Sequence, residues 1–260
     1  MAQRVLFASL LLLVGCEAAE LEVPGLDGAS LGDTSGADSD GDGISDAEEA
    51  ELGTDPQSDD TDLDGWTDSE ELARNTDPVD GADKPYTGGW PIGECRNDIQ
   101  AGSSLAAGEV APDFSLTDMY GDDVRLHDFC HMAVMVVTGA EWCGPCQAYR
   151  ADMASFYDSY FERGLMIIDL LGETASGGEP TETDLENWAD GHSYAVVADP
   201  GWSVSNQGYV SGGIPAMSLI GVGGVVVYAD GGGPTSAQIE EALPTDFVMP
   251  ETAYEDGAIH

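Results

Sequence analysis

Positive charge is what this chain has least of. Its 260 residues hold 7 Lys and Arg against 50 Asp and Glu, a formal net charge of −43, and Lys84 is the only lysine. A surface of that sign excludes nucleic acid and anionic lipid headgroups as binding partners. Salt adaptation is one reading such a balance allows, which composition alone does not establish, and part of the excess has a local cause described below. Long apolar runs are missing too. The run Val5–Val14 is too short to span a bilayer as a helix. Histidine is sparse: His127, His131, His192 and His260 have no metal-ligand spacing, and surface or turn positions are expected for them. Cysteine occurs five times, with one Cys-x-x-Cys and no second pair to complete a zinc site.

The N-terminus reads as an address. Arg4 precedes the apolar run, and Gly15 and Cys16 follow it, as in a secretory signal peptide. Leu13-Val14-Gly15-Cys16 resembles the bacterial lipobox. The resemblance implies cleavage after residue 15 and acyl chains on Cys16, a lipid anchor in a bacterial cell envelope. Glu17 replaces the aspartate associated with inner-membrane retention, so inner and outer membranes both stay open. Residues 16–37 are rich in Gly, Asp, Ser and Ala and read as a flexible tether.

Residues 38–83 contain an internal repeat. Asp38, Asp40, Asp42, Ile44, Asp46 and Glu49 occupy the ligand positions of a twelve-residue calcium loop, with Gly43 at the sharp turn. Asp60, Asp62, Asp64, Trp66, Asp68 and Glu71 repeat the pattern around Gly65. Ile44 and Trp66 would offer backbone carbonyls, the others carboxylates. Short helices are predicted over Ala47–Leu52 and Ser69–Ala73, followed by Gly53-Thr54-Asp55-Pro56 and Asn75-Thr76-Asp77-Pro78. Loop and tail together resemble the bacterial thrombospondin type 3 repeat. That resemblance implies about two structural calcium ions and a stiffened spacer. Residues 84–104 read as a linker holding Cys95, and residues 105–250 as the packed domain, with 251–260 a tail.

Within the domain, Trp142-Cys143-Gly144-Pro145-Cys146 follows the apolar stretch Met132–Val137 and opens a helical pattern. Two thiols one turn apart at a helix start suit dithiol–disulfide chemistry. The first is favoured as thiolate by the helix N-terminus, and the second is close enough to resolve a mixed disulfide. Their short spacing makes Cys143–Cys146 one natural pairing and leaves Cys95 with Cys130. That second pair is expected to be a structural disulfide, with a relay to the active site as the rival reading. Strands are predicted over Met132–Thr138, Leu165–Leu171, Tyr194–Ala198, Ala216–Ile220 and Val225–Tyr228. A hairpin surrounds Tyr120-Gly121, and helices cover Pro145–Arg163, Glu182–Ala189 and Ser236–Leu243. The alternation indicates an α/β fold.

Ala111-Pro112-Asp113-Phe114, the Cys143/Cys146 motif and Gly213-Ile214-Pro215 stand in the order of the thioredoxin superfamily and resemble its extracytoplasmic TlpA-type branch. The resemblance implies a thioredoxin-like fold, a central mixed sheet flanked by helices. It implies a cis peptide bond before Pro215, substrate pairing with the Ile214 backbone, and Trp142, Gly144 and Pro145 around the dithiol. The family's usual acids are missing. Val137 stands where cytoplasmic-type thioredoxins have a buried aspartate, Tyr149 where TlpA-type reductases often have glutamate, and Ala151 replaces a helix proline. Asp169 is a candidate proton carrier if buried. A strand-end position in water is the equal alternative.

The expected function is a lipid-anchored extracytoplasmic thiol–disulfide oxidoreductase of the reductase type. It would need a protein thiol or disulfide as substrate, an unidentified electron donor, and no organic cofactor. The alternative is a calcium-stiffened surface protein whose dithiol stays oxidised. A peroxiredoxin is disfavoured because the Pro and Thr that precede that family's cysteine are absent.

Overall fold

The computed structural model describes residues 36–230 and 232–249. The leader, Cys16 and its acylation, nearly all of the tether, and the tail with His260 lie outside the described residues. Among the described residues no helix is long and apolar enough to cross a membrane.

Each repeat folds as a loop closed by one short helix, α1 (Asp46–Leu52) and α2 (Asp68–Ala73). Ser45 with Glu48 and Thr67 with Glu70 form reciprocal capping boxes. These satisfy backbone donors that helices so short would leave bare.

The larger domain is built on a five-stranded sheet in the order β5-β4-β3-β6-β7. Its strands are β3 (Ala133–Gly139), β4 (Leu165–Leu171), β5 (Ala195–Ala198), β6 (Ala216–Gly221) and β7 (Val225–Asp230). β3, β4 and β5 run parallel, while β6 is antiparallel to β3 and β7. Every residue of β3 and β4 is buried, as expected for strands covered on both faces. The hairpin β1 (Ser115–Thr117) and β2 (Asp123–Arg125) turns at Gly121 and bridges the sheet edge through Asp118 and Val197. The helices are α3 (Gly144–Tyr160), α4 (Glu182–Ala189) and α5 (Ser236–Ala242). This is the thioredoxin-like fold.

Residues 84–104 are not a linker. Tyr86, Trp90 and Ile92 are buried in the same core as the sheet. The Tyr86 hydroxyl donates to Asp128 at 2.6 Å and accepts from the Arg125 amide at 3.0 Å. Trp90 Nε1 donates to the Ser193 carbonyl at 2.9 Å. Thr87 N donates to Asp122, whose carboxylate also lies 3.5 Å from Lys84 Nζ. A disulfide joins Cys95 to Cys130. The segment is a strap over the domain, and Asn75 ties α2's end to it by donating to the Ile92 carbonyl at 2.8 Å.

Candidate active site and metal centres

β3 ends at Gly139, and the chain passes through buried Ala140 to the dithiol at the start of α3. Cys143 caps this 17-residue helix, and its Sγ accepts the Cys146 amide at 3.2 Å. Pro145 in the first turn costs no hydrogen bond there. Cys143 and Cys146 are joined by a disulfide, and both are buried. Cys143 Sγ lies 3.7 Å from the carbonyl oxygen of Ile214, whose bond to Pro215 is cis. Trp142 stands beside them, 53% exposed. Its Nε1 donates to Glu173 Oε2 at 2.7 Å, and Trp202 Nε1 donates to the other oxygen at 3.3 Å. Glu173 thus holds two tryptophans at the rim. A cleft next to the cis bond is lined by Tyr149, Gly212, Gly213, Ile214, Pro215 and Met217.

Asp169 is central in β4, opposite Val137 of β3, and 1% exposed. The strand-end reading is therefore excluded. Its Oδ2 accepts from Trp188 Nε1 at 2.7 Å. Burial pushes its carboxyl up to about 7, against the opposing pull of the Trp188 hydrogen bond and the Arg150 charge. Arg150 lies over the Trp188 ring, 4.8 Å from its centroid. Tyr149 is on the cleft side instead, its phenol raised to about 12, mainly by burial. The sequence reading missed Arg150, although its position four residues after Cys146 places both on one helix face. It also missed Glu173, which carries no local signal. His127 departs from the surface expectation: it is buried, with Nδ1 3.5 Å from Asp113.

In the repeats, carboxylate oxygens of Asp38, Asp40 and Asp42 come within 4.8 Å of one another, and those of Asp60, Asp62 and Asp64 do the same. Gly43 and Gly65 turn at φ 103° and 105°, a region that favours glycine. One oxygen of each of Asp40, Asp42, Asp62 and Asp64 accepts a loop amide. The second oxygens of Asp40, Asp62 and Asp64, with Glu49 Oε2 and Glu71 Oε2, are buried without a hydrogen-bond partner. Buried anionic oxygens need a counter-charge, so this donor set fits a hard cation such as calcium. Burial first and neighbouring aspartates second raise Glu49 to about 7 and Glu71 to about 8. Asp46 and Asp68, the ninth positions of the loops, also brace them. Both oxygens of Asp46 accept from Ser39, and both oxygens of Asp68 accept from Thr61. Each of these oxygens keeps a second lone pair, so the bracing leaves room for the direct or water-mediated cation contact that the ninth position makes. The two loops touch where Ser69 N donates to Asp42 Oδ2 at 3.3 Å.

The AhpC/TSA family model matches residues 107–229, and the bacterial TSP3 repeat matches residues 38–58 and 60–81. The thiol-disulfide oxidoreductase ResA of Geobacillus kaustophilus is 32% identical over 143 residues, spanning 54% of this chain and 78% of the relative. The ResA protein of Halalkalibacterium halodurans is 30% identical over 154 residues, spanning 58% and 82%. Among solved structures, a putative thiol:disulfide interchange protein DsbE from Chlorobium tepidum is 25% identical, with a TM-score of 0.43, and covers 53% of this chain and 94% of that one. The chain therefore belongs to the ResA family of thiol-disulfide oxidoreductases, carried behind bacterial TSP3 repeats.

Proposed function

We propose that the protein is an extracytoplasmic protein disulfide reductase working through Cys143 and Cys146. Cys143, as thiolate, attacks a target disulfide and displaces one target thiolate. Cys146 then attacks Cys143 Sγ, the target's second sulfur leaves, and two electrons have passed to the target. Trp142 walls the reacting sulfurs, Gly144 and Pro145 shape the turn between them, and the extended target pairs with the Ile214 backbone beside Pro215. The observation that carries this reading is the position of Cys143 Sγ. It takes an amide hydrogen bond at a helix N-terminus and lies 3.7 Å from the Ile214 carbonyl, where a thiolate is stabilised and a substrate strand has a partner. About two calcium ions hold the repeats, supported by the bare buried oxygens of Asp40, Glu49, Asp62, Asp64 and Glu71. Cys95–Cys130 is structural, fastening the strap. Acylated Cys16 anchors the chain to a membrane, and an unidentified electron donor recharges the dithiol.

Dithiothreitol-driven insulin reduction tests the catalytic reading. The wild type accelerates it, Cys143→Ser does not, and Cys146→Ser accumulates a mixed disulfide. No acceleration over dithiothreitol alone would favour the alternative, a binding module with a permanently closed disulfide. Membrane partition of wild type against Cys16→Ser, with mass spectrometry of the mature N-terminus, tests the anchor. An N-terminus far from Cys16 overturns it.

A further inference from the structure

The resolving step has a proton to lose, and the structure places a buried carboxyl beneath the dithiol. β3 and β4 pair in parallel with Val137 opposite Asp169 and Gly139 opposite Leu171. Residues opposite one another share a face of the sheet, as do residues two apart along a strand. Asp169 therefore faces the same way as Gly139. A Cβ at Gly139 would lie 3.5 Å from Cys146 Sγ and 3.8 Å from Trp188 Cζ2. The sulfur of Cys146 and the indole of Trp188 thus converge on one bare patch of β3. Trp188 in turn donates its N–H to Asp169 Oδ2.

The remaining groups facing Asp169 come from three elements. α3 contributes Cys146 and Arg150. α4 contributes Trp188, with Asp190 just past its end, 3.7 Å from Arg150 Nη2. Tyr194, just before β5, is raised first by its own burial and then by the Asp169 charge. Arg150 is the one cation among them. It is stacked on Trp188, and its Nε and Nη2 make no hydrogen bond. A carboxylate held by one indole N–H and balanced by one nearby cation is able to take a proton without leaving the interior.

We propose that Asp169 accepts the proton of the Cys146 thiol during resolution, with Trp188 and Arg150 as the residues that position and bias it. This rests on Cys146 being the resolving cysteine. The step balances. The Cys146 S–H proton passes to the Asp169 carboxylate, and a bond forms between Cys146 and Cys143. The bond between Cys143 and the target sulfur breaks, and the target leaves as thiolate with the electron pair and is protonated by water. Asp169 returns its proton to solvent before the next turnover.

The test uses the full chain, calcium-loaded and reduced, mixed rapidly with 5,5′-dithiobis(2-nitrobenzoate). Attack by Cys143 releases one thionitrobenzoate, and closure by Cys146 releases the second. In Asp169→Asn, which keeps an acceptor for Trp188, the second phase slows at least about tenfold at neutral pH, while the first stays within about twofold. Asp169→Glu restores most of the lost rate. The wild-type second phase shows a pH inflection belonging to a group other than Cys146, and Asp169→Asn lacks it. Arg150→Met moves the inflection to higher pH, and Arg150→Lys holds it in place. Absence of the first phase in the wild type overturns the dithiol reading itself. A normal first phase with an unchanged second-phase rate and pH profile in Asp169→Asn overturns only the role of Asp169. If Asp169→Asn does not fold, the wild-type profile decides, because a second phase that follows Cys146 alone refutes the proposal.

Discussion

Replacing Asp169 with Asn tests the energetics of the buried carboxyl apart from any chemistry. Its ordinary value of 3.8 rises to about 7 in the folded protein, chiefly through burial. The folded chain thus holds this proton more tightly than the unfolded chain. Below the unfolded value both states are protonated, and Asp169 costs nothing. As pH rises toward 7, the unfolded chain ionises first, and stability falls by ~1.4 kcal/mol per pH unit. Above the folded value the loss levels off at about 4 kcal/mol. Asn cannot ionise, fits the same space, and accepts from Trp188. The expected gain for Asp169→Asn is therefore roughly 2 kcal/mol at about pH 5.5 and about 4 kcal/mol at about pH 8, less whatever Arg150 loses as a partner. Urea unfolding followed by near-UV circular dichroism measures it, with calcium and both disulfides intact. The lower pH stays clear of the sequence pI of about 4.1. A stability difference that is the same at both pH values would refute the reasoning. A variant that is more stable yet slower to resolve would mark Asp169 as a residue kept for function.

Three further outcomes are expected. Asp40→Ala combined with Asp62→Ala abolishes calcium binding by titration calorimetry, and unchanged binding sinks the loop assignment. Tyr86→Phe removes a hydroxyl that bonds both Asp128 and the Arg125 amide and costs about 1–3 kcal/mol, with faster amide hydrogen exchange along the strap. Replacing Cys95 and Cys130 together by Ser opens a cross-link of sequence separation 35 and costs about 4 kcal/mol. The dithiol stays reactive in that variant if the pair is structural, and loses turnover if it is a relay.

The elements around the dithiol were legible because each had a strong local signal. Apolar runs marked β3 and β4, and Gly164 in the left-handed region ended the turn after α3. The helix Glu182–Ala189 falls where its pattern placed it. The strap was not legible. Tyr86, Trp90 and Ile92 follow neither the helical nor the strand period, and they sit among prolines and glycines, so the segment looks like a loop although its few large side chains reach the core. Asp169 was ambiguous because an apolar strand run does not say which of its faces is covered. Here α3 and α4 supply Arg150 and Trp188 on the face in question. The ninth positions, Asp46 and Asp68, matched a ligand pattern in sequence. Their added role as braces depends on the hydroxyls of Ser39 and Thr61, which the pattern leaves unspecified.

The strap also separates two boundaries that are usually assumed to coincide. The AhpC/TSA match begins at residue 107, but the interior begins at Tyr86. A fragment cut where the resemblance starts would carry the dithiol, the sheet and the cis bond, yet leave an unfilled socket where three large side chains belong and strand Cys130 as a free thiol. The stretch the AhpC/TSA match covers is shorter than the part that folds. Recombinant work on the domain should start upstream of Tyr86, at the end of the repeats.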